Sequence, residues 1–517
     1  MTRCPEMNLI MDFTKIARYT MQSRAHRTDG WEGRVEYLQR RQLDWLLRKA
    51  SDTEVGKRHG FSEIVNSPDM VESYMSSVPT VEYDDIRPLA MRMVDGEKNV
   101  LWPGICKRFA QSSGTSGGKS KFVPITDDCL RHNHYPGTSD VVAHYLQMNP
   151  ESRIFSGKSL ILGGSFANEL NLKHGVKVGD LSATLIDRMP KLADMVRVPR
   201  KKIALMEDWS EKLPALANAA SGENITNISG VPSWFLTVIK EVCRIKGADK
   251  ISDVWPNLEV FFHGGIDFRP YRKEYESLTN PSKMHFMETY NASEGFFAFQ
   301  NDFSDHSMLL ILDGKVFYEF EPLDGGDTVP AWEVEEGKSY ELLISSSNGL
   351  WRYHLGDTVT VTRTNPVKIR IAGRTRSFIN AFGEEVMEDN ANRAIETACE
   401  ATGSSIANYT AGPYYAHNNR RGHHQWLIEW NVVPTSMETF TKVLDKTLQD
   451  VNSDYQAKRS HGIFLDPPEV ITAHKGLFDE WLASAGSQKL GGQRKVPRLN
   501  NNRSILDKML DMNAKFS

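Results

Sequence analysis

The run Gln111-Ser112-Ser113-Gly114-Thr115-Ser116-Gly117-Gly118-Lys119-Ser120-Lys121 carries the strongest chemical signal in the chain. Hydroxyls, three glycines and two lysines are packed into it, the composition of a loop that wraps a polyphosphate. Glycine lets backbone N–H groups approach phosphate oxygens, and hydroxyl and lysine side chains add donors and positive charge. A Walker loop, G-x-x-x-x-G-K-[ST], does not fit. Gly114 and Gly118 enclose three residues rather than four, and Lys121-Phe122-Val123-Pro124 reads as a strand, where a Walker lysine opens a helix. Lys107 to Gln111 is also extended in pattern, so the glycine-rich segment is expected to be the turn of a hairpin.

Four further clusters offer complementary chemistry. Tyr290-Asn291-Ala292-Ser293-Glu294 places a ring able to stack on a base four residues before a carboxylate able to hold a divalent cation. Tyr353-His354-Leu355-Gly356-Asp357 puts an aspartate just after a glycine, suited to accept two hydrogen bonds from a ribose diol. Gly373-Arg374-Thr375-Arg376 is followed by Ile379 to Glu385, and Gly491 to Arg498 forms a basic loop near the C-terminus. Taken singly, each has a plainer reading. Tyr290, Phe296 and Phe297 could be core aromatics, Glu294 a helix cap, and the Lys495 loop a solvated tail. His132-x-His134 and His423-His424 lack acidic or cysteine partners at metal-ligand spacing, which argues against a structural zinc.

These clusters need a scaffold of more than one domain, and the 517 residues allow it. Hydrophobic residues are 40% and charged residues 25%, as in globular enzymes, and the net charge of −4 lacks the basic footprint of nucleic-acid binding. No window approaches the ~18 apolar residues of a membrane helix. Five scattered cysteines without C-x-x-C spacing suit a reducing, cytoplasmic setting, and monomer is the default state. The first hundred residues carry helical periodicity. From Ser159 onward, short apolar runs such as Leu160-Ile161-Leu162 and Leu258 to Phe262 alternate with helical stretches, and each ends in Gly-Gly. In α/β folds ligands sit at such strand ends. Residues 307–363 are rich in strand pattern and predict a small antiparallel barrel or sheet. Helices are expected around Asp389 to Cys399 and Met437 to Asn452. The fold class is therefore α/β: a large N-terminal domain over 1–375 containing the small barrel or sheet, and a smaller, mobile α+β cap over 376–517.

The clusters, in this order, resemble the motifs of the Gretchen Hagen family of acyl acid–amido synthetases, within the superfamily of acyl-CoA synthetases, adenylation domains and luciferases. Ser112 to Lys121 is similar to the family's Ser-Ser-Gly-Thr-Ser loop, Tyr290 to Glu294 to its Tyr-x-x-Ser-Glu motif, and Tyr353 to Asp357 to its Tyr-Arg-x-Gly-Asp motif. Gly373 to Thr375 and Ile379 to Glu385 resemble bacterial members, and Gly491 to Arg498 resembles the loop bearing the catalytic lysine. His354 departs from the family's arginine, Asn291 from the superfamily's frequent glycine, and Ser120 from a common proline.

The resemblance implies two steps. A small carboxylic acid is adenylated by ATP with Mg²⁺, and the amine of an amino acid then displaces AMP. It assigns Ser112, Ser113, Gly114, Thr115, Ser116 and Lys121 to phosphate, and Glu294 to Mg²⁺. Tyr290, Ser293, Gly264 and Gly265 fall to the adenosine region, Asp357 to the ribose, and Arg374 to the ribose or hinge. Lys495 would swing in to bridge the α-phosphate and the carboxylate. The acyl pocket is expected from His134, Tyr135, Phe166, Trp234 and Phe297. A coenzyme A ligase and a non-catalytic binder of small acids are the competing readings.

Overall fold

The computed structural model describes residues 12–112, 121–166, 170, 172, 175–265, 268–374, 378–379, 384, 386–414, 422–452, 455–456, 459, 465–484, 496–500 and 503–515. The helical start is present. Val35–Ala50 places Leu43, Leu46, Leu47 and Ala50 at helical spacing and buries all four. Asp69 and the Glu82/Asp85 capping box start the next helices, Met70–Ser77 and Tyr83–Val94.

A short antiparallel hairpin follows: β1 (Arg108–Ser112) and β2 (Lys121–Pro124), with Ser112 opposite Lys121. The chain next enters its main sheet. The parallel half consists of β3 (Lys158–Ile161), β5 (Arg197–Val198), β6 (Ile225–Gly230), β7 (Val260–Gly264) and β8 (His285–Ala292). Between β3 and β5, β4 (Lys177–Gly179) leaves this sheet and pairs in parallel with β1. The small sheet thus has the order β2-β1-β4.

The antiparallel half consists of β9 (Gly295–Gln300), β10 (Met308–Leu310), β11 (Val316–Pro322), β12 (Val329–Pro330), β13 (Ser339–Ser346), β14 (Tyr353–Thr364) and β15 (Val367–Arg374). These strands do not close a barrel of their own. They continue the parallel half into one twelve-stranded sheet, β12-β11-β13-β14-β15-β10-β9-β8-β7-β6-β3-β5. The joint is β8–β9, where the direction reverses at the Tyr290 to Glu294 cluster. Strands buried on both faces read as unbroken apolar runs, which is why Phe296 to Phe299 and Leu342 to Ile344 lack alternation.

Residues after Arg374 build a second core. β16 (Phe378–Ile379) and β17 (Val386–Met387) pair, and the helix Glu388–Thr402 follows. β18 (Ser405–Tyr414), β19 (His423–Val432) and β20 (Glu469–Ala473) form a sheet, over which Met437–Val451 packs. Both expected C-terminal helices are therefore present. Arg498 crosses to the larger unit, donating from Nη2 to the Tyr271 hydroxyl at 2.8 Å and from Nη1 to Asn408 Oδ1 at 2.7 Å. No helix among the described residues is long and apolar enough to cross a membrane.

Candidate active site

A single cavity of about 1460 Å³ opens at the carboxyl ends of β3, β6, β7 and β8 and runs to β14. Its walls include Lys121, Tyr135, Trp234, Gly264, Gly265, Tyr290, Ser293, Glu294 and Asp357, so nine of the expected residues share one space. The segments 113–120 and 485–495, with Ser113, Gly114, Thr115, Ser116 and Lys495, lie outside the described residues. The β1–β2 pairing holds both ends of the first of these segments.

Lys121 leaves the hairpin toward β14. Its Nζ donates to Tyr353 Oη at 3.1 Å and sits 5.7 Å from the ring centroids of both Tyr83 and Tyr353. Burial pushes the Tyr353 phenol well up, so this hydroxyl stays protonated beside the ammonium. Tyr83 was not evident from sequence. It comes from the helix Tyr83–Val94, and its hydroxyl accepts the Phe122 N–H at 2.5 Å, fixing β2.

At the far side of the joint, Tyr290 Oη donates to Asp357 Oδ2 at 2.6 Å. The two residues are only 4% and 7% exposed. A bulge aims the aspartate: β13 pairs Glu341 with Thr358 and Leu343 with His354, so one residue faces three. Gly356 lies inside that bulge at φ +75°, a left-handed conformation that other residues adopt at a cost. Asp357 is also the register partner of Arg374 at the end of β15. The ring of Tyr290 rests edge-on against Phe297, with centroids 5.1 Å apart. Glu294 is 8% exposed in the β8–β9 turn, and its carbonyl accepts from Asn348 Nδ2 at 2.9 Å.

The bulged strand is anchored from below. Arg352, at φ +44°, makes a buried ion pair with Glu319 at 2.7 Å and donates to the carbonyls of Met75 and Val78 and to Thr328 Oγ1. Holding a non-glycine residue at positive φ costs free energy, and the ion pair with its carbonyl bonds keeps it there. His354 occupies the family's arginine position. Its Nδ1 lies 3.1 Å from Glu341 and 3.6 Å from Glu321, carboxylates that oppose each other across β11 and β13. The Glu341 hydrogen bond holds the imidazole pKa above its ordinary value, against burial.

The cavity also has apolar walls, from Tyr135, Val142, Leu185, Ile186, Met189, Trp234 and Phe296. Three expected lining residues are corrected: His134 is wholly buried behind the wall, and Phe297 and Phe166 also lie off it. Phe297 is fully buried beneath Tyr290, because alternation along β9 turns Phe296 to the cavity and Phe297 to the core. Phe166 is not among the lining residues; it lies beside Lys177, whose Nζ is 5.2 Å from its ring. Of the two histidine pairs, His424 Nε2 meets Glu384 at 2.9 Å in the C-terminal core, and His132 is 3.9 Å from Asp128. Lys212, invisible in sequence, is wholly buried and donates to the carbonyls of Gly163, Gly164 and Met206, shaping the loop after β3. Burial pushes its ammonium down to about 8.

The GH3 family N-terminal domain matches residues 25–284, its central domain 309–374 and its C-terminal domain 389–504. Among curated relatives, the probable indole-3-acetic acid-amido synthetase GH3.1 of Arabidopsis thaliana is 23% identical over 93% of this chain and 92% of its own length. The 4-substituted benzoates-glutamate ligase GH3.12 of Arabidopsis thaliana is 22% identical over 83% and 87%. Of solved structures, the GH3.15 acyl acid amido synthetase superposes with a TM-score of 0.77 at 20% identity, covering 95% of this chain and 96% of that one. A 2-hydroxyisobutyryl-CoA ligase in a postadenylation state gives 0.53 at 13% identity over 92% and 91%. With its N-terminal model alone spanning half the chain, and the central and C-terminal models following in order, this protein belongs to the GH3 family.

Proposed function

We propose that this protein is an ATP-dependent acyl acid–amido synthetase, joining a small carboxylic acid to the amine of an amino acid. One observation carries the reading: Tyr290, Asp357 and Glu294 line the same cavity as a set of apolar side chains that includes Leu185, Met189 and Trp234. Similarity to named amido synthetases over nearly the whole chain supports it.

In the first step a carboxylate oxygen attacks the α-phosphorus of ATP and pyrophosphate leaves, giving an acyl-adenylate. Both reactants are anions, so the site must screen charge. Lys121 borders the cavity as a cation, and the 112–116 hydroxyls and backbone are read as the phosphate cradle. Asp357, aimed by its bulge, accepts from the ribose hydroxyls, while Tyr290 holds the carboxylate still and offers its ring to adenine opposite Gly264 and Gly265. The donor set fits Mg²⁺, a hard cation that takes oxygen ligands. Glu294 would hold it, and when bound it would neutralise phosphate charge. In the second step the amine nitrogen attacks the acyl carbonyl, the C–O bond to AMP breaks, and the amine loses a proton. We assign Lys495 to the developing charge of the first step. We read 1–375 and 376–517 as domains that change their relative pose between steps, with Arg374 at the boundary.

A cytoplasmic monomer belongs to the same proposal; the described cysteines Cys106, Cys129, Cys243 and Cys399 are all unpaired, as a reducing compartment requires. The test is pyrophosphate release from ATP and Mg²⁺ over a panel of carboxylic acids, with amide detected by mass spectrometry when amino acids are added. Acid-dependent release with amide supports the proposal. Thioester only on addition of coenzyme A would replace it with the thiol-ligase reading, and absence of release across the panel would replace it with a binder. Lys495→Ala is expected to lower the adenylation rate by roughly 10²–10³ while ATP still binds.

A further inference from the structure

The cavity wall includes a polar residue, Asn291, that the adenylation chemistry leaves unused. Chain residues Leu130–His134 form a π-helical turn leading into the helix Tyr135–Met148, an irregularity that recurs at functional sites. The turn is fixed on both sides. Asn133 accepts the Phe296 N–H at 2.6 Å and donates to the Phe296 carbonyl at 3.0 Å. Gly137 admits the Phe296 ring where a Cβ would stand 2.7 Å from it. Phe296 is in turn the β9 partner of Asn291 on β8. The clamp therefore delivers the His134 ring to the side chain of Asn291, a cavity-lining residue at a position where the superfamily often has glycine.

His134 is wholly buried, and both its ring nitrogens lack a well-directed hydrogen bond, as does the buried Asn291 Oδ1. Unpaired buried polar atoms cost about 1–3 kcal/mol each, which favours the His134 ring and the Asn291 carbonyl oxygen meeting each other. Burial pushes the imidazole down to about 4, so at neutral pH it is uncharged and presents one N–H. That N–H is complementary to Asn291 Oδ1. With the carbonyl oxygen buried and Asn291 on the cavity wall, the carboxamide Nδ2 is the end left for the cavity.

We propose that Asn291, oriented by His134, donates a hydrogen bond to the acyl part of the substrate, so that the preferred acid carries an acceptor beyond its reacting carboxylate: a hydroxy or oxo oxygen, or a ring nitrogen. Asn291 is then a specificity-determining residue and His134 a positioning one. The inference rests on the amido-synthetase reading for its site. A pocket that offers a hydrogen-bond donor rejects the analogue that leaves this donor unpaired, by the free energy of a stranded buried amide.

The test uses the full-length protein and matched pairs of aryl and alkyl acids with and without such an acceptor. Two readouts are taken: calorimetric binding of each acid, and kcat/KM for acid-dependent pyrophosphate release. Wild type is expected to favour the acceptor-bearing member by roughly 10–100-fold in both. Asn291→Ala should erase that preference while changing the plain acid by less than about threefold, and His134→Gln, which keeps a donor, should retain more of it than His134→Leu. Wild type showing no preference overturns the proposal. A loss in Asn291→Ala that is uniform across all acids also overturns it, by placing the carboxamide at the reacting carboxylate. If no acid releases pyrophosphate, the ligase reading fails on that readout, and the calorimetric preference still decides the role of Asn291.

Discussion

Tyr290→Phe is the most direct probe of the nucleotide site proposed at Tyr290 and Asp357. The substitution keeps the ring, its volume and its contact with Phe297, and deletes one hydroxyl. That hydroxyl donates to Asp357 at 2.6 Å in a place where both partners are more than nine-tenths buried. A hydrogen bond to a charged group contributes about 1.5–3 kcal/mol net, and a buried carboxylate deprived of a donor keeps its desolvation cost. The variant is therefore expected to lose about 1.5–3 kcal/mol of stability without ligand, read as a fall in the urea midpoint at unchanged slope. Asp357 would also lose its fixed orientation. Nucleotide affinity, measured by calorimetry with AMP and with ATP, should fall by roughly 3–10-fold, a part of the 1.4 kcal/mol per decade that the lost bond can supply. A stability change below about 0.5 kcal/mol would refute the bond as a working contact. A clear stability loss with unchanged AMP affinity would refute Asp357 as a nucleotide ligand and leave the pair purely structural.

Three further outcomes are expected. Glu319→Gln leaves the Arg352 guanidinium buried without its counter-ion and should cost about 3–5 kcal/mol, with raised KM for ATP as the bulge of β14 loosens; denaturant unfolding and steady-state kinetics check both. His354 has a raised folded pKa, so its bridge between Glu341 and Glu321 stabilises the chain below the unfolded histidine pKa and fades as pH rises through the folded one. The stability gap between wild type and His354→Asn should accordingly shrink across that window, and a gap constant with pH would exclude the bridge. Tyr271→Phe removes the hydroxyl that accepts from Arg498 and donates to the Ala407 carbonyl. Limited proteolysis between the two cores should speed up by roughly fivefold, in line with about 1 kcal/mol of lost docking.

Local chemistry was legible in the sequence and long-range pairing was not. The glycine-rich hairpin, the parallel strands ending in Gly-Gly and both C-terminal helices announce themselves through composition and periodicity within a few residues. The Tyr290 and Asp357 clusters could be singled out separately, but the hydrogen bond between them spans 67 positions. The same holds for Arg352 and Glu319, for Lys212, and for Tyr83, whose roles are set by strands and loops that sequence spacing does not connect. The misplacement of Phe297 has a simpler origin. Two adjacent phenylalanines on a strand face opposite ways, and with both apolar nothing in the sequence says which faces the cavity. The expected small barrel or sheet is present as antiparallel strands, and it merges into one large sheet because β10 inserts between β9 and β15, a topology that local pattern does not encode.

The small sheet β2-β1-β4 has a consequence for anyone who would re-engineer the protein. The segment between β3 and β5 supplies Leu185, Ile186 and Met189 to the cavity wall, and it also supplies β4, the strand on which the β1–β2 hairpin hangs. Under the proposed function, selectivity for the acid and seating of the phosphate turn are thus built from one stretch of chain. A chimaera that imports a foreign acid pocket by splicing within 162–196 would import a foreign neighbour for the hairpin with it. Crossover points placed before Arg108 and after Val198 keep the three strands together, and transplants made at those seams are the ones expected to change the acid accepted without disarming the turn.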